Sequence, residues 1–424
     1  MTHERRNAPM KYSGIDSIGE IPAGWATVRL KTILTPRSEK NSGDKELLSV
    51  FLDRGVISYS DSTGMQVHKP SADLSNYQNV HIGDFVLNNQ QAWRGSVGVS
   101  NYDGIISPAY FVYKMSDDCD PTYMNFLLRD TSMVQQYETS SRGVGTIQRN
   151  IYPQWLLNSL VIVPPMREQI LIGKFLYERC AEIDALSADI QAQIDTLEQY
   201  KRSVITETIT GGLNPNAAMK DSGVFYMAPM NADWRLTKIG YVCAKLSRPF
   251  NPDDTALICS NKGKVLIRPD DLTGIMVSED NAMQGIRAGD IAIHGMDTWH
   301  GAVAMSQYDG KITRVVHVCD STEEKRFIVY YLQHLAYQGV YKLISNGVRG
   351  NTSDFRSWDK VRDIFIALPK TIKEQRAICD YLDHMCVEAD EIIAAKKEQM
   401  DVLNEYKKSL IFEYVTGKKE VPAS

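Results

Sequence analysis

The chain lacks any apolar run approaching the roughly 18 residues that a membrane-spanning helix needs, and its N-terminus, MTHERRNAPMKYSG, has no signal-like hydrophobic core. A membrane or secreted protein is therefore not expected, and the sequence reads as cytoplasmic. Cysteine is sparse and unpatterned: seven residues, an odd number without any C-x-x-C, argue against a disulfide framework or a structural zinc site and for reduced, mostly buried thiols. Signatures of catalysis are missing as well. SNKGKV, from Ser260, lacks the glycine spacing of a phosphate loop, and RGVGTIQ around Gly143 is too short a match to a dinucleotide-binding turn. No Asn/Asp-Pro-Pro-aromatic segment, the adenine-extruding signature of amino-methyltransferases, occurs. The eight histidines, among them His81, His294 and His317, are dispersed without H-E-x-x-H, so no metal site is expected.

What remains is an ordinary globular composition, 43% apolar and 23% charged, in a chain of 424 residues that is too long for one core. The net charge of −5 by itself disfavours a polyanion as partner. The informative feature is repetition. WRGSVGVSNYDG, from Trp93, returns as WHGAVAMSQYDG, from Trp299, with seven of twelve positions identical at an offset of 206. GDFVLN at Gly83 answers GDIAIH at Gly289, and Trp25 answers Trp234. PPMREQ and PKTIKEQ align Glu168 with Glu374; Tyr200-Lys201-Arg202-Ser203 aligns with Tyr406-Lys407-Lys408-Ser409. Two copies are too few for a solenoid, so the chain is an internally duplicated protein, a covalent pseudo-dimer.

Each copy has two parts. The first mixes short β-like runs with one or two helices: VGVSNYDGIISPAYFVYK places apolar runs on both sides of Asp103-Gly104, a hairpin signal, and Tyr123 to Tyr137 is apolar at helical spacing. The second is a long helix starting just after Pro164-Pro165 or Pro369, with Glu in its first turn. Its apolar or small residues recur at alternating steps of four and three: Leu176, Cys180, Ile183, Ser187, Ile190, Ile194, Leu197, Lys201 and Val204. The same ladder falls at Leu382, Cys386, Ala389, Ile393, Lys396, Met400, Leu403, Lys407 and Leu410. That spacing is a coiled-coil seam, closed by Thr210-Gly211-Gly212 and Thr416-Gly417. A helix of ~40 residues spans ~60 Å. The two seams share one register, so they are expected to pair with each other, antiparallel, with the heads at opposite ends. Lys201 and Lys407 are expected to snorkel near the ends of such a rod.

The expected architecture is therefore α+β: two mixed α/β heads, residues 1–165 and 213–370, separated by helical spacers, 166–212 and 371–424, that form an antiparallel coiled coil with an internal pseudo-two-fold repeat. From Arg167 to Glu207 the first spacer carries −3, and from Lys373 to Glu413 the second carries −4, which leaves +2 for the rest against the total of −5. Acidity belongs to the helices, at solvent-facing positions, and the heads are mildly basic. The objection to nucleic-acid binding falls away.

A head, a P-x-x-x-EQ-type junction, a long helix ending in YK(R/K)S…TG, then the whole pattern again, resembles the specificity subunit of a type I restriction-modification system. GDFVLN…WRGSVGVS…DGIISPAYFVY is similar to the interior of a target-recognition domain, as is GDIAIHGMDTWHGAVAMSQYDGKITRVVHV; the second departs from the usual SP-x-Y at Thr313-Arg314-Val315-Val316. The resemblance covers nearly the entire chain. It implies a non-catalytic subunit of a multisubunit methyltransferase and endonuclease in host defence. Each head would read one half of a bipartite site in double-stranded DNA. The helices would fix the gap and dock two modification subunits that use S-adenosylmethionine to methylate adenine at N6. A restriction subunit using ATP and magnesium joins in some complexes, and the chain itself would need no cofactor.

Base reading requires Arg, Lys, Asn or Gln at groove edges. In the first head NNQQAWRG offers Asn88, Asn89, Gln90, Gln91 and Arg94, and SRGVGTIQRN offers Arg142, Gln148, Arg149 and Asn150. In the second the corresponding residues are His294, Asp297 and His300, then Arg349, Asn351 and Arg356. Trp93 and Trp299 read as packing anchors rather than base stackers. Two other classes compete: a stand-alone methyltransferase, opposed by the missing motifs, and a coiled-coil scaffold whose heads bind peptides without reading DNA sequence.

Overall fold

The computed structural model describes residues 9–41, 43–62, 70–71, 73–144, 148–269, 282–345 and 355–422. The chain divides into two compact units, residues 1–190 together with 398–424, and residues 191–397. No described helix is long and apolar enough to cross a membrane.

In the first unit a short antiparallel pair, Met10–Tyr12 with Glu20–Pro22, precedes the strands β1 (Ala26–Arg29), β2 (Leu34–Pro36), β3 (Leu48–Phe51), β4 (Gly55–Ser58), β5 (Gln78–Val80), β6 (Phe85–Asn88), β7 (Val97–Val99), β8 (Gly104–Ile106) and β9 (Tyr110–Met115). Helices α1 (Pro121–Arg129) and α2 (Thr131–Thr139), ribbon strands β10 (Ser141–Val144) and β11 (Gln148–Ile151), a short helix α3 (Pro153–Asn158) and β12 (Leu160–Val163) follow. The long helix α4 (Met166–Gly211) then begins directly after the two prolines. The central sheet is antiparallel, in the order β2-β9-β6-β7. Strand β12 returns to pair with β1, so the last strand of the head closes on one near its start. Strands β6 and β7 are apolar runs with Phe85, Val86, Leu87, Val97 and Val99 all buried, which is what a strand covered on both faces requires.

The second unit repeats this plan in β13 (Arg235–Lys238), β14 (Cys243–Lys245), β15 (Met283–Ile286), β16 (Ile291–His294), β17 (Val303–Met305), β18 (Gly310–Thr313), β19 (Val316–Ser321), α5 (Lys325–Tyr337) and β20 (Phe365–Leu368), ahead of the long helix α6 (Ile372–Val415). Its central sheet runs β14-β19-β16-β17, and β20 closes on β13. Register is repeated too: Tyr110 faces Asn88 in the first sheet, and Val316 faces His294 in the second, each pair offset by 206.

Two local expectations need correction. The runs flanking Asp103-Gly104 do not form a hairpin with one another, because β7 pairs with β6 whereas β8 pairs with β5. The intervening residues carry the chain between sheets: Ser100 accepts from the Tyr102 backbone N–H, and the Asp103 carboxylate caps Ile82 N–H at 3.1 Å. The second copy does the same, with Asp309 accepting from Ala288 N–H at 2.8 Å. Nor is 123–137 one helix. Asp130, at φ −66° and ψ 150°, ends α1 and caps α2, its side chain accepting from Ser132 N–H. In the second unit α5 runs unbroken as far as Tyr337, and the break falls later, at a left-handed Gly339 (φ 70°) ahead of a short helix Val340–Ile344.

The long helices contribute to both units. In the first, residues 166–190 of α4 run antiparallel to residues 398–415 of α6: Lys407 Nζ reaches Asp184 at 2.5 Å, and the rings of Phe175 and Tyr414 lie 4.6 Å apart. In the second, residues 191–211 of α4 run antiparallel to residues 372–397 of α6, with Lys201 Nζ on Asp390 at 2.6 Å and Lys396 on Gln193. Along the seam Leu176, Ile183, Ile194, Leu382, Ala389 and Ile393 are buried, and Ile190, Leu197, Met400 and Leu403 are half-buried. Lys201 and Lys407 do not snorkel outward as expected. Each extends across the seam to a carboxylate of the opposing helix, and the two ion pairs are copies of each other at an offset of 206.

Each unit is locked at one tryptophan. Trp25 is 1% exposed; its indole N–H donates to Glu168 at 3.1 Å, and its ring packs where a Cβ on Gly417 would fall only 2.8 Å away. Trp234 repeats this, donating to Glu374 at 2.9 Å with Gly212 against its ring. Each indole thus holds the start of one long helix and the end of the other. The residue after each glutamate does the adjoining work. Gln169, fully buried, accepts from Asp120 N–H and donates to the Asp118 and Pro164 carbonyls; Gln375 accepts from Glu324 N–H and donates to the Pro369 carbonyl and Glu323. The Glu-Gln pair at each junction is a bracket between head and helix.

Candidate nucleic-acid interface

The candidate residues of the first head lie on two segments, the turn after β6 and the ribbon β10–β11. In the turn, Asn88 Oδ1 accepts from the backbone N–H groups of Gln90 (2.9 Å) and Gln91 (3.2 Å), folding the chain back so that residues 92–94 form a single 3₁₀ turn. Gly95, at φ 99°, ends that turn in the left-handed region where only glycine sits without strain. Asn89 ties turn to ribbon, because its side-chain oxygen accepts from Ile151 N–H at 3.0 Å. Trp93 donates its N–H to the Gln90 carbonyl at 3.0 Å and presents its ring to two cations, Arg94 at 4.6 Å and Arg149 at 5.2 Å. Arg149 also meets Glu138 at 3.1 Å. Turn and ribbon therefore form one contiguous surface. Gln90, Arg94, Arg142 and Asn150 are exposed on it, while Asn88, Asn89, Gln91, Trp93 and Arg149 are half-buried. Gln148 opposes Val144 in the ribbon backbone.

Sequence reasoning missed the aromatic part of this surface. Tyr152 and Trp155, on and just before α3, are 45% and 42% exposed and stack with ring centroids 5.1 Å apart at 26°. The Arg142 guanidinium lies 4.7 Å from the Trp155 ring centre. The signal was present in the sequence as two aromatics directly after a basic ribbon, a composition suited to nucleic acid.

The second head builds the same turn from different side chains. His294 stands where Asn88 stands, and its Nδ1 accepts from the backbone N–H groups of Met296 (3.4 Å) and Asp297 (3.1 Å), the counterparts of Gln90 and Gln91. Burial holds the His294 imidazole below its ordinary value, opposed by the Asp297 carboxylate, which keeps the ring neutral and Nδ1 free to accept. Asn88 and His294 thus do structural work, fixing a turn. His300 is exposed beside Trp299, whose ring faces Lys342 at 5.8 Å. Phe355 N–H bonds the Gly295 carbonyl at 3.0 Å, as Ile151 bonds Asn89, and the exposed Arg356 follows it. Arg349 and Asn351 lie outside the described residues. His317, at the floor of this surface, donates from Nε2 to the Phe355 carbonyl at 2.7 Å, and burial keeps it neutral.

Beneath each turn lies a repeated clamp. Asp84 is 2% exposed and receives Arg37 at 3.0 Å and His81 N–H at 2.9 Å; Asp290 receives Arg248 at 2.7 and 2.8 Å through two guanidinium nitrogens, and Arg287 N–H at 2.8 Å. These are the aspartates of the repeated Gly-Asp motif, and they brace the β6 and β16 strands that carry the turns.

No family model matches the chain. A curated relative, the type I restriction enzyme MjaVIII specificity subunit of Methanocaldococcus jannaschii, is 27% identical over 212 residues, 46% of this chain and 47% of that protein, so the match spans about half the relative's length. Among solved structures, a chain from work on complex assembly and conformational transition of the type I R-M system superposes with a TM-score of 0.68 at 17% identity, covering 94% of this chain and 99% of that one. The HsdS subunit from Thermoanaerobacter tengcongensis (18% identical, 94% and 98% covered) gives a TM-score of 0.46. The type I S subunit from M. genitalium (13% identical, 98% and 99% covered) gives 0.39. These last two overlays are too loose for comparison of folds. Over nearly all of its length the chain carries a fold found in a type I restriction-modification system, and over about half of it a likeness in sequence to a specificity subunit, which is the family it resembles.

Proposed function

We propose that this chain is the DNA-recognition subunit of a type I restriction-modification complex. Each head reads one half of a split site in double-stranded DNA, and the two long helices set the unread gap and dock two adenine-N6 methyltransferase subunits. S-adenosylmethionine belongs to those partners, and ATP and magnesium to a restriction subunit where one joins; the present chain contributes recognition and no bond-breaking step.

The observation that carries this reading is the doubling of one reading frame. The same turn, capped by Asn88 in one head and His294 in the other and braced by the same Arg–Asp clamp, appears on the same strand of the same sheet with different side chains around it. A frame held constant while its exposed residues diverge suits two readers of unequal half-sites. The charge distribution supports the assignment, since the net negative charge lies on the helices and the rest of the chain carries +2.

The test is to map methylated adenines in the host genome with the gene intact and deleted. A two-part motif should lose modification on deletion and regain it with the full chain, and tagged chain should copurify with a methyltransferase. An unchanged methylation pattern refutes the proposal.

A further inference from the structure

Within the first head, the ribbon β10–β11 stands out. Directly opposed residues of an antiparallel pair project on one face of the ribbon, and successive residues alternate. Arg142 is opposed to Asn150, and Gly143 to Arg149. The ribbon is thus sorted. Arg149 is committed on one side, to Glu138 and the Trp93 ring. Arg142 and Asn150 share the other, both exposed. Neither side chain of this second pair has a hydrogen-bond or ion-pair partner among the described residues. What Arg142 does have is a support: its guanidinium rests on Trp155, itself stacked on Tyr152.

That arrangement has a chemical meaning. A flexible cation serving a phosphate needs charge and reach. A guanidinium laid against an indole loses its freedom beforehand and presents a planar fork, which matches paired acceptors. In duplex DNA the planar pair of acceptors on a base edge is guanine N7 and O6, and the side chain that matches adenine N7 and N6 is Asn. The major groove admits a two-stranded ribbon. Opposed residues on such a ribbon have Cβ atoms about 5 Å apart, commensurate with neighbouring base pairs stacked about 3.4 Å apart.

We infer that β10–β11 is the base-reading element of the first head, entering the major groove with Arg142 on a guanine and Asn150 on an adjacent adenine, and with Trp155 and Tyr152 as the platform that orients the arginine. This rests on the DNA-recognition reading above and adds which element reads, in which groove, and which bases.

The test uses the full chain, tagged and purified from its host with the subunits that accompany it, incubated with duplexes of randomised interior; the retained sequences are then read. The intact protein should enrich a two-part sequence. Arg142→Ala and Arg142→Lys should each lower the preference at one guanine by about 5- to 150-fold, leaving the other half-site unchanged. Asn150→Ala should relax an adenine next to that guanine. Trp155→Leu should weaken the same guanine preference, with a melting temperature close to that of the intact protein as evidence that the head is folded. Arg142→Lys lies at the surface and keeps the charge, so a loss of folding does not obscure it. Uniformly weaker binding with unchanged preferences would mean a phosphate contact and would overturn the inference. So would effects falling in opposite half-sites, or no effect, while the two-part sequence persists. Enrichment of no sequence by the intact protein would overturn the DNA-recognition reading and this inference with it.

Discussion

Replacing Gly417 by alanine probes the lock at Trp25. Gly417 has φ 71°, and a Cβ there falls 2.6 Å from Pro22 Cδ and 2.8 Å from the far edge of the Trp25 ring. The ring cannot swing away, because it is 1% exposed and its N–H is held by Glu168. The left-handed backbone costs an alanine about 1–2 kcal/mol, and forcing an extra methyl into a filled site costs about 1–3 kcal/mol more. The sum is about 2–5 kcal/mol taken from the first unit. Gly83→Ala is the matched control: φ is 88°, but the nearest atom, Pro121 Cγ, is 3.8 Å away, so only the backbone part applies. Amide exchange of peptides from residues 20–30 and 410–417 in the full chain is the assay, since it reports one unit of a two-unit protein. Gly417→Ala should lower protection there by roughly thirty-fold or more relative to the intact chain, and Gly83→Ala by clearly less. Equal losses in the two variants would refute the lock.

Further outcomes follow from the same geometry. The Lys201–Asp390 pair has side chains 26% and 52% exposed, so a double-mutant cycle with Lys201→Ala and Asp390→Ala should give a coupling of about 0.3–1 kcal/mol that shrinks at high salt. A coupling that ignores salt would contradict the electrostatic assignment. Arg248→Ala leaves the Asp290 carboxylate, 3% exposed, without its counter-charge and with the Arg287 N–H still bonded to it, and should cost about 3 kcal/mol in urea unfolding, with Asp290→Asn added to it restoring part of the loss. His334 sits buried against Thr206, and burial pushes its imidazole down to about 4 from 6.5. The unfolded chain takes up the proton first, so this contribution is complete above pH 6.5 and is lost as pH falls toward 4, up to about 3 kcal/mol. His334→Gln should therefore lose about 2 kcal/mol less stability than the intact chain between pH 7 and pH 5. Equal losses would assign the acid sensitivity elsewhere.

The duplication, the helices and their ends were legible because they depend on local rules: prolines open each helix, glycine closes it, and a four-three ladder exposes the face that must be covered. The pairing followed from two seams in one register, and the antiparallel sense from the collision of heads that a parallel pair would force. The sheets were harder. Asp103-Gly104 looks like a hairpin turn, but the side chain of Asp103 is needed to cap Ile82, 21 residues earlier in the chain, and the strands on either side go to different partners. Lys201 and Lys407 looked like solvent-facing lysines at a seam because their carboxylates are roughly 190 to 220 residues away in the chain. At the interface, residue type alone could not separate Asn88, whose acceptor is consumed by its own turn, from Asn150, which carries none of that burden. Pairing across the ribbon makes that distinction, and pairing is a tertiary fact.

The sharing of the helices between units has a consequence for biosynthesis. The second unit is one continuous stretch, residues 191–397, whereas the first is completed only by residues 398–424. At roughly 5–20 residues per second, the opening half of the protein waits on the order of 10–40 s on the ribosome with the faces of Leu176 and Ile183 uncovered, until Leu410 and Tyr414 arrive to cover them. A nascent chain stalled before residue 398 would therefore leave those apolar faces open to chaperones and proteases.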